Sequence, residues 1–171
     1  AIRCWEELLT FWPHDEDVFD SLAALYRAAK DDARLARLLQ RRVARLEAPD
    51  AALLLRCAEA QAKCPELYDS AIQTLDRILA IDPSNEAAFL ALRTILTHRE
   101  HWADLLTRYE ALLDIPELSV RPGVWLDTAE VAIHRMGETE LGIAILGRAL
   151  EACGPHRGLM EQAAAIGGQL G

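Results

Sequence analysis

The residues best suited to chemistry in this sequence are two histidines with acids beside them. His98 and His101 lie three positions apart, with Glu100 and Asp104 nearby, and imidazole and carboxylate groups are common zinc ligands. The pair straddles the turn before Trp102, however, and no third local ligand or H-E-x-x-H motif accompanies it. We therefore interpret both histidines as turn or capping residues, and we expect neither a metal nor a cofactor.

Nucleophiles and acid–base pairs also lack the partners that catalysis requires. The sequence contains no G-x-S-x-G elbow, no cysteine–histidine pair at a familiar spacing and no glycine-rich phosphate loop. The acidic clusters at 15–17 and 31–32 stand at predicted helix starts, where negative charge stabilises the helix dipole. The sequence therefore predicts a protein that is not an enzyme.

The four cysteines indicate free thiols in a reducing compartment. None forms a C-x-x-C pair, and Cys57 and Cys64 lie seven positions apart on one face of a predicted helix, as buried thiols would. Because no signal segment is recognisable, we expect a cytoplasmic protein. The chain begins at Ala1 inside half a repeat, so we also expect a fragment of a longer protein, whose missing part could carry a targeting signal.

One local concentration of positive charge interrupts an acidic chain. Arg34, Arg37, Arg41 and Arg45 lie at spacings of three, four and four, which places them on one stripe of a helix. We interpret this basic stripe as a solvated outer face, with binding of nucleic acid or another phosphate-bearing partner as the alternative. The net charge of −9 argues against nucleic acid as the main partner, and no apolar run approaches the roughly 18 residues that span a membrane.

The elements that must position these residues repeat along the chain. Pro13, Pro49, Pro83, Pro116 and Pro155 recur at intervals of 33 to 39 residues. Between them, apolar residues follow two helical stripes per interval, the second with offsets of 0, 3, 4, 7, 10 and 11. Each interval therefore predicts two helices joined by a tight turn, and the connection at 115–123 is the one long loop.

Two segments carry a family resemblance. Residues 71–83 read AIQTLDRILAIDP and precede SNEAAFLAL, and Phe19, Leu22, Ala23 and Tyr26 combine a bulky residue, Leu, a small residue and an aromatic at spacings 0, 3, 4 and 7. This pattern resembles the tetratricopeptide repeat (TPR) family, although Arg42 and Leu105 occupy positions where that family prefers small residues. A HEAT-like array of helical hairpins is the alternative.

The resemblance implies an all-α, right-handed α-solenoid of antiparallel helix hairpins. We expect one solenoid domain, comprising a partial N-terminal repeat at 1–15, repeats at 16–51, 52–85, 86–122 and 123–156, and a terminal helix at 157–171. Trp5 and Trp12 fall in the partial repeat, where no preceding helix covers them. Self-association through exposed solenoid ends is therefore left open.

In this family the first helices of the repeats line a concave groove that holds a peptide or a partner surface. The resemblance therefore implies a non-catalytic protein–protein interaction scaffold or adaptor with a protein or peptide partner. The groove residues that the register selects are Arg27, Arg56, Lys63, Leu90, Thr94, His98 and His134. The cationic members of this set are suited to carboxylates of a partner.

Overall fold

A computed structural model describes residues 2–167, and within that range every regular element is a helix. The α-helices are α1 (Ile2–Phe11), α2 (Glu16–Ala28), α3 (Asp32–Arg45), α4 (Ala51–Gln61), α5 (Tyr68–Ile81), α6 (Glu86–His98), α7 (Trp102–Leu113), α8 (Pro116–Ser119), α9 (Pro122–Glu130), α10 (Thr139–Cys153) and α11 (Arg157–Gly167). A 3-10 turn (Pro65–Leu67) precedes α5, and a π-helical segment (Val131–Arg135) follows α9. The prediction of an all-α fold is confirmed. Residues 168–171 of the predicted terminal helix lie outside the described residues.

Short polar side chains set the starts of four helices. Asp15, Asp31 and Asp50 accept hydrogen bonds from backbone N–H groups three residues later, at 3.1, 3.1 and 2.7 Å, at the starts of α2, α3 and α4. Asn85 does the same for α6, at 3.0 Å. Such caps satisfy N–H groups that the helix itself leaves unpaired. The acidic residues at positions 15 and 31 therefore have a structural role.

The turns inside three hairpins share one backbone conformation. Lys30, Glu100 and Gly137 have φ values of 54°, 55° and 75°, the left-handed region that commonly ends a helix. In the first two turns, the next residue donates its N–H to a carbonyl five positions earlier, at 3.0 Å. Glycine occupies this position only at Gly137, so the repeated turn is visible in the backbone more clearly than in the sequence.

Residues 2–167 divide into two compact units. The first, residues 2–81 with 85–92, packs α1 to α5 in chain order, each helix against the next. Its core is formed by large side chains that are at most 1% exposed: Leu22, Leu39, Leu54, Leu75 and Ile78. Ala23, Ala36, Ala58 and Ala71 are fully buried and allow close packing between neighbouring helices.

The second unit, residues 82–84 with 93–167, packs α7, α9, the π-helical segment, α10 and α11 together. Its core includes Leu105, Trp125, Ile145 and Leu159. Leu105, which replaces the small residue preferred by the TPR family, is 2% exposed, so this hairpin accommodates the larger side chain in its interior.

Two local features differ from the sequence prediction. The segment 115–123 is not simply a loop, because it contains the short helix α8, whose Ser119 carbonyl accepts a hydrogen bond of 2.7 Å from the Trp125 indole. The π-helical segment lies where the sequence predicts an uninterrupted first helix. Its Ile133 side chain occupies the space beside Gly142 of α10.

Aromatic side chains at the end of the first helix are exposed. Phe11 and Trp12 are 76% and 56% exposed, whereas Trp5 is half-buried. Trp102 is also half-buried, and the Arg135 guanidinium lies 5.2 Å from its ring centroid. Among the described residues, no helix is both long and apolar enough to cross a lipid bilayer.

We expect opposite effects from the same substitution at two glycines of α10. A Cβ at Gly142 would lie 2.1 Å from Ile133 Cγ1, so Gly142→Ala forces Ile133 to move, and overpacking of this kind costs about 1–3 kcal/mol. A Cβ at Gly147 meets nothing within 4 Å, so Gly147→Ala gains roughly 0.5–1 kcal/mol of helix propensity. Urea denaturation should show a lower free energy of unfolding for the first variant and a higher one for the second.

The Ile133→Ala background provides the control for this pair. There, Gly142→Ala no longer meets a side chain at close range, so its penalty should largely disappear. Destabilisation by both glycine substitutions, or an equal penalty in both backgrounds, would contradict the close approach of α10 to Ile133.

We expect the cysteines to differ sharply in reactivity. Cys57 and Cys64 are buried while Cys4 is exposed, and burial raises the pKa of the Cys57 thiol from its ordinary value of 9.0 to about 11. An alkylating reagent at pH 8 should therefore modify Cys4 rapidly and Cys57 only after unfolding, as read by mass spectrometry of the labelled peptides. Comparable rates at the two cysteines would contradict the packing of α4.

The same pKa shift predicts a pH dependence of stability. The unfolded chain releases the Cys57 proton near pH 9 and the folded chain near pH 11. The contribution of the Cys57 thiol to the free energy of unfolding is therefore fully present below pH 9 and is lost as the pH rises through 11.

Candidate functional site

The first helix of the first full hairpin has one buried side and one exposed side. In α2, Val18, Phe19, Leu22, Ala23 and Tyr26 are buried. The exposed side comprises Asp17, Asp20, Ala24, Arg27 and Ala28. Because Ala24 and Ala28 are small, they leave the backbone of α2 accessible between charged residues. This exposed side, together with Arg56 of α4 and Lys63 in the turn after α4, is called the first-helix face below.

Two ion pairs join this face to neighbouring helices. Arg56 of α4 lies 3.6 Å from Asp20 of α2, with side chains 41% and 67% exposed, and Lys63 lies 3.2 Å from Asp32 of α3. Ion pairs at this exposure contribute about 0–1 kcal/mol each, so an incoming carboxylate can replace the internal one at little cost. The structure therefore brings Arg56 and Asp20 together and leaves both accessible, and Arg27 is exposed on the same side of α2.

The remaining predicted groove residues lie on α6 and on the π-helical segment. Leu90, Thr94 and His98 follow one another at intervals of four on α6, and all three are exposed. Leu90 belongs to the first compact unit, whereas Thr94, His98 and the exposed His134 belong to the second. Each of these residues is therefore accessible to a partner. That they line one common groove stays a prediction.

The histidine pair has a local partner. His101 Nδ1 lies 3.3 Å from Asp104 Oδ2, three residues later at the start of α7. Within residues 2–167, no group of three or more His, Cys, Asp or Glu side chains is arranged to hold a metal ion. The arrangement is that of an exposed pair at a helix start, where the carboxylate of Asp104 also favours the helix dipole.

A polar cluster in the second unit escapes local sequence patterns. Arg93 Nη1 lies 3.5 Å from both Asp127 Oδ2 and the Tyr109 hydroxyl, which also donates to Asp127 at 3.5 Å. Burial raises the pKa of Asp127 and of Tyr109, while the hydrogen bond to Tyr109 raises the pKa of Arg93. The three residues come from α6, α7 and α9, so their spacing along the chain gives no sign of the cluster.

The basic stripe of α3 is not a simple outer face, because α1 lies alongside it and encloses a cleft. The α1–α3 cleft has a volume of about 600 Å³, within the range of about 300–1,000 Å³ usual for ligand sites. Arg34, Arg37, Arg41 and Arg45, together with Arg42, line its α3 wall. The α1 side contributes Glu6, Leu9, Thr10 and Pro13, and the floor is formed by Phe19, Leu22, Tyr26 and Leu38.

Three of the five arginines are engaged within the protein. Arg42 forms a 2.6 Å ion pair with Glu16 and stacks on Phe19, with its guanidinium 5.6 Å from the ring centroid. Arg34 lies 3.4 Å from Asp31 and 4.0 Å from Glu6. Arg45 donates to the Pro13 carbonyl at 3.0 Å. These partners on α1 and beyond it were not visible in the sequence, because local spacing could not place α1 beside this stripe.

Tyr26 closes the floor of the cleft on its α1 side. Its hydroxyl donates a hydrogen bond to Glu6, and burial together with this carboxylate raises the pKa of Tyr26 to about 12. Glu6 is thereby held by Tyr26 and approached by Arg34, so its charge offsets one end of the cationic wall.

Structural comparison identifies proteins with the same arrangement of helices. The crystal structure of MamA superposes with a TM-score of 0.59 at 17% identity, covering 96% of this chain and 89% of that chain. MamA from residue 41 onward of Desulfovibrio magneticus RS-1 gives 0.54 at 16% identity, covering 90% and 84%. YrrB, described as a TPR protein with an unusual peptide-binding site, gives 0.57 at 12% identity, covering 96% and 81%.

Sequence comparison alone finds no match. No protein-family model matches the chain, and no curated protein matches it significantly. The assignment therefore depends on the fold, because the sequence identity to these structures is only 12 to 17%. The chain has the fold of a tetratricopeptide-type helical repeat protein.

Proposed function

We propose that this chain is a non-catalytic interaction scaffold that binds a peptide or partner protein through its first-helix face. The observation that carries the proposal is the exposure of that face in a repeat fold. Asp20, Arg27, Arg56 and Lys63 are directed away from the core, and three of the four are held only by exposed, exchangeable ion pairs.

The chemistry of the predicted groove residues suits a mixed peptide. Arg27 and Arg56 are able to hold carboxylates through two parallel hydrogen bonds each, and Lys63 adds a third positive charge. Leu90, which is 42% exposed, offers an apolar contact, and Thr94, His98 and His134 offer hydrogen-bonding groups. A peptide with acidic and apolar side chains matches this set.

The fold lowers the cost of such binding. Helices held by buried cores present their side chains in fixed positions, so less ordering is required when a flexible segment binds. The description of YrrB as a TPR protein with a peptide-binding site supports a peptide as the class of ligand. The four free thiols, two of them buried, support a reducing compartment such as the cytoplasm.

Charge reversal on the first-helix face should abolish binding of the partner. Arg56→Glu/Lys63→Glu replaces two exposed cations and breaks only exposed ion pairs, so the variant should keep its helical circular dichroism and melting temperature. In affinity capture from the native host's lysate, quantified by mass spectrometry, we expect a protein held by the wild type to be at least about tenfold depleted with the variant.

Arg77→Glu/Arg121→Glu is the matched control, because it makes the same change in charge at exposed positions outside the face. This control should capture the same partner as the wild type. Equal capture by wild type, variant and control would overturn the assignment of the face. Loss of all captured material after nuclease treatment would indicate that the partner is a nucleic acid and not a protein.

A further inference from the structure

We propose that the α1–α3 cleft is a second binding site, for an extended acidic peptide with apolar side chains between its carboxylates. This inference is independent of the first-helix face, since none of the residues that line the cleft belongs to that face. All of its lining residues belong to the first compact unit.

The first step in the argument is unbalanced charge. Arg37 and Arg41 are exposed, lie one helical turn apart and have no ion pair or side-chain hydrogen bond within residues 2–167. Arg45 uses one of its five N–H donors on the Pro13 carbonyl, which leaves the others for a ligand. The arginines of α3 therefore form a positively charged surface that suits an anionic ligand, although the chain as a whole has a net charge of −9.

The second step is spacing. Arg37, Arg41 and Arg45 follow one another at four-residue intervals, about 6 Å along a helix axis. In an extended peptide, side chains on one edge recur about 6.7 Å apart, every second residue. Carboxylates at alternate positions would therefore each meet one guanidinium. The wall from Arg34 to Arg45 is about 16 Å long, which corresponds to about five extended residues.

The third step is the opposite side of the cleft. Leu9 of α1 is half-buried and provides apolar surface there, and Pro13 closes the end near Arg45. When alternate residues of an extended peptide direct carboxylates to α3, the intervening side chains are directed the other way. Apolar residues at those positions would lie against this surface, so the cleft selects an alternating acidic and apolar sequence.

The same features disfavour a nucleic acid. Single-stranded nucleic acids bind through bases that stack on accessible aromatic rings. Here Phe19 and Tyr26 are 7% and 5% exposed, and Arg42 lies over the Phe19 ring.

The test uses three fluorescein-labelled probes in anisotropy titrations with the full chain. The first is a heptapeptide of alternating glutamate and leucine, the second replaces each glutamate with lysine, and the third is a fifteen-nucleotide oligothymidine. We expect saturable binding of the acidic peptide that weakens as salt is added, and no saturable binding of the lysine peptide.

The deciding variant is Arg37→Glu/Arg41→Glu, which changes two exposed side chains and should leave the fold intact by circular dichroism. It should bind the acidic peptide at least about tenfold more weakly than the wild type, since two charge-assisted contacts are lost. Arg77→Glu/Arg121→Glu, with the same change in net charge, should bind like the wild type.

Three results would overturn the proposal. The acidic peptide could fail to bind saturably, it could bind all the variants equally, or oligothymidine could bind more tightly than the peptide at this site. The last result would assign the cleft to a phosphate backbone.

Discussion

Close approach between helices is the constraint on which the other features of this protein depend. Ala23, Ala36, Ala58 and Ala71 have no exposed surface, and each lies where a neighbouring helix packs against its own. In the second unit, Gly142 leaves no room for a Cβ beside Ile133. Small residues at these positions let the helices approach closely, and large buried side chains such as Leu39 and Leu75 fill the remaining space between them.

This packing determines which surfaces remain for function. A helix with neighbours on both sides retains one free strip, and on the first-helix face that strip carries exposed charges rather than core residues. On α3 the free strip carries the arginines, and α1 lies far enough away to leave the α1–α3 cleft between them. Two binding surfaces of different composition therefore result from a single mode of packing.

Local spacing was sufficient to predict the helices and their pairing. The stripe through Leu35, Leu39 and Val43 is buried and the four arginines of the basic stripe are exposed, as a helical period requires. The TPR resemblance carried by residues 71–83 led to a fold that structural comparison confirms. The helix starts beside the acidic clusters at 15–17 and 31–32 were also predicted.

Features that depend on contact between distant segments were not readable. The Arg93–Tyr109–Asp127 cluster joins three helices, and the α1–α3 cleft requires Glu6 and Leu9 to face arginines some thirty residues later. The helix α8 is joined to α10 by the Cys153 thiol, which donates to the Ser119 carbonyl at 3.5 Å, and the π-helical segment packs its Ile133 side chain beside Gly142 of α10. No local pattern distinguishes such segments from a loop or from an ordinary helix.

The most direct test of the account is site-specific photocrosslinking in the native host. A benzoylphenylalanine placed at Ala24 lies on the first-helix face, and one placed at Gln73 lies on the exposed side of the second helix α5. The account predicts that position 24 crosslinks to a distinct partner protein and that position 73 does not. A partner crosslinked from position 73 and absent at position 24 would contradict binding through the first-helix face.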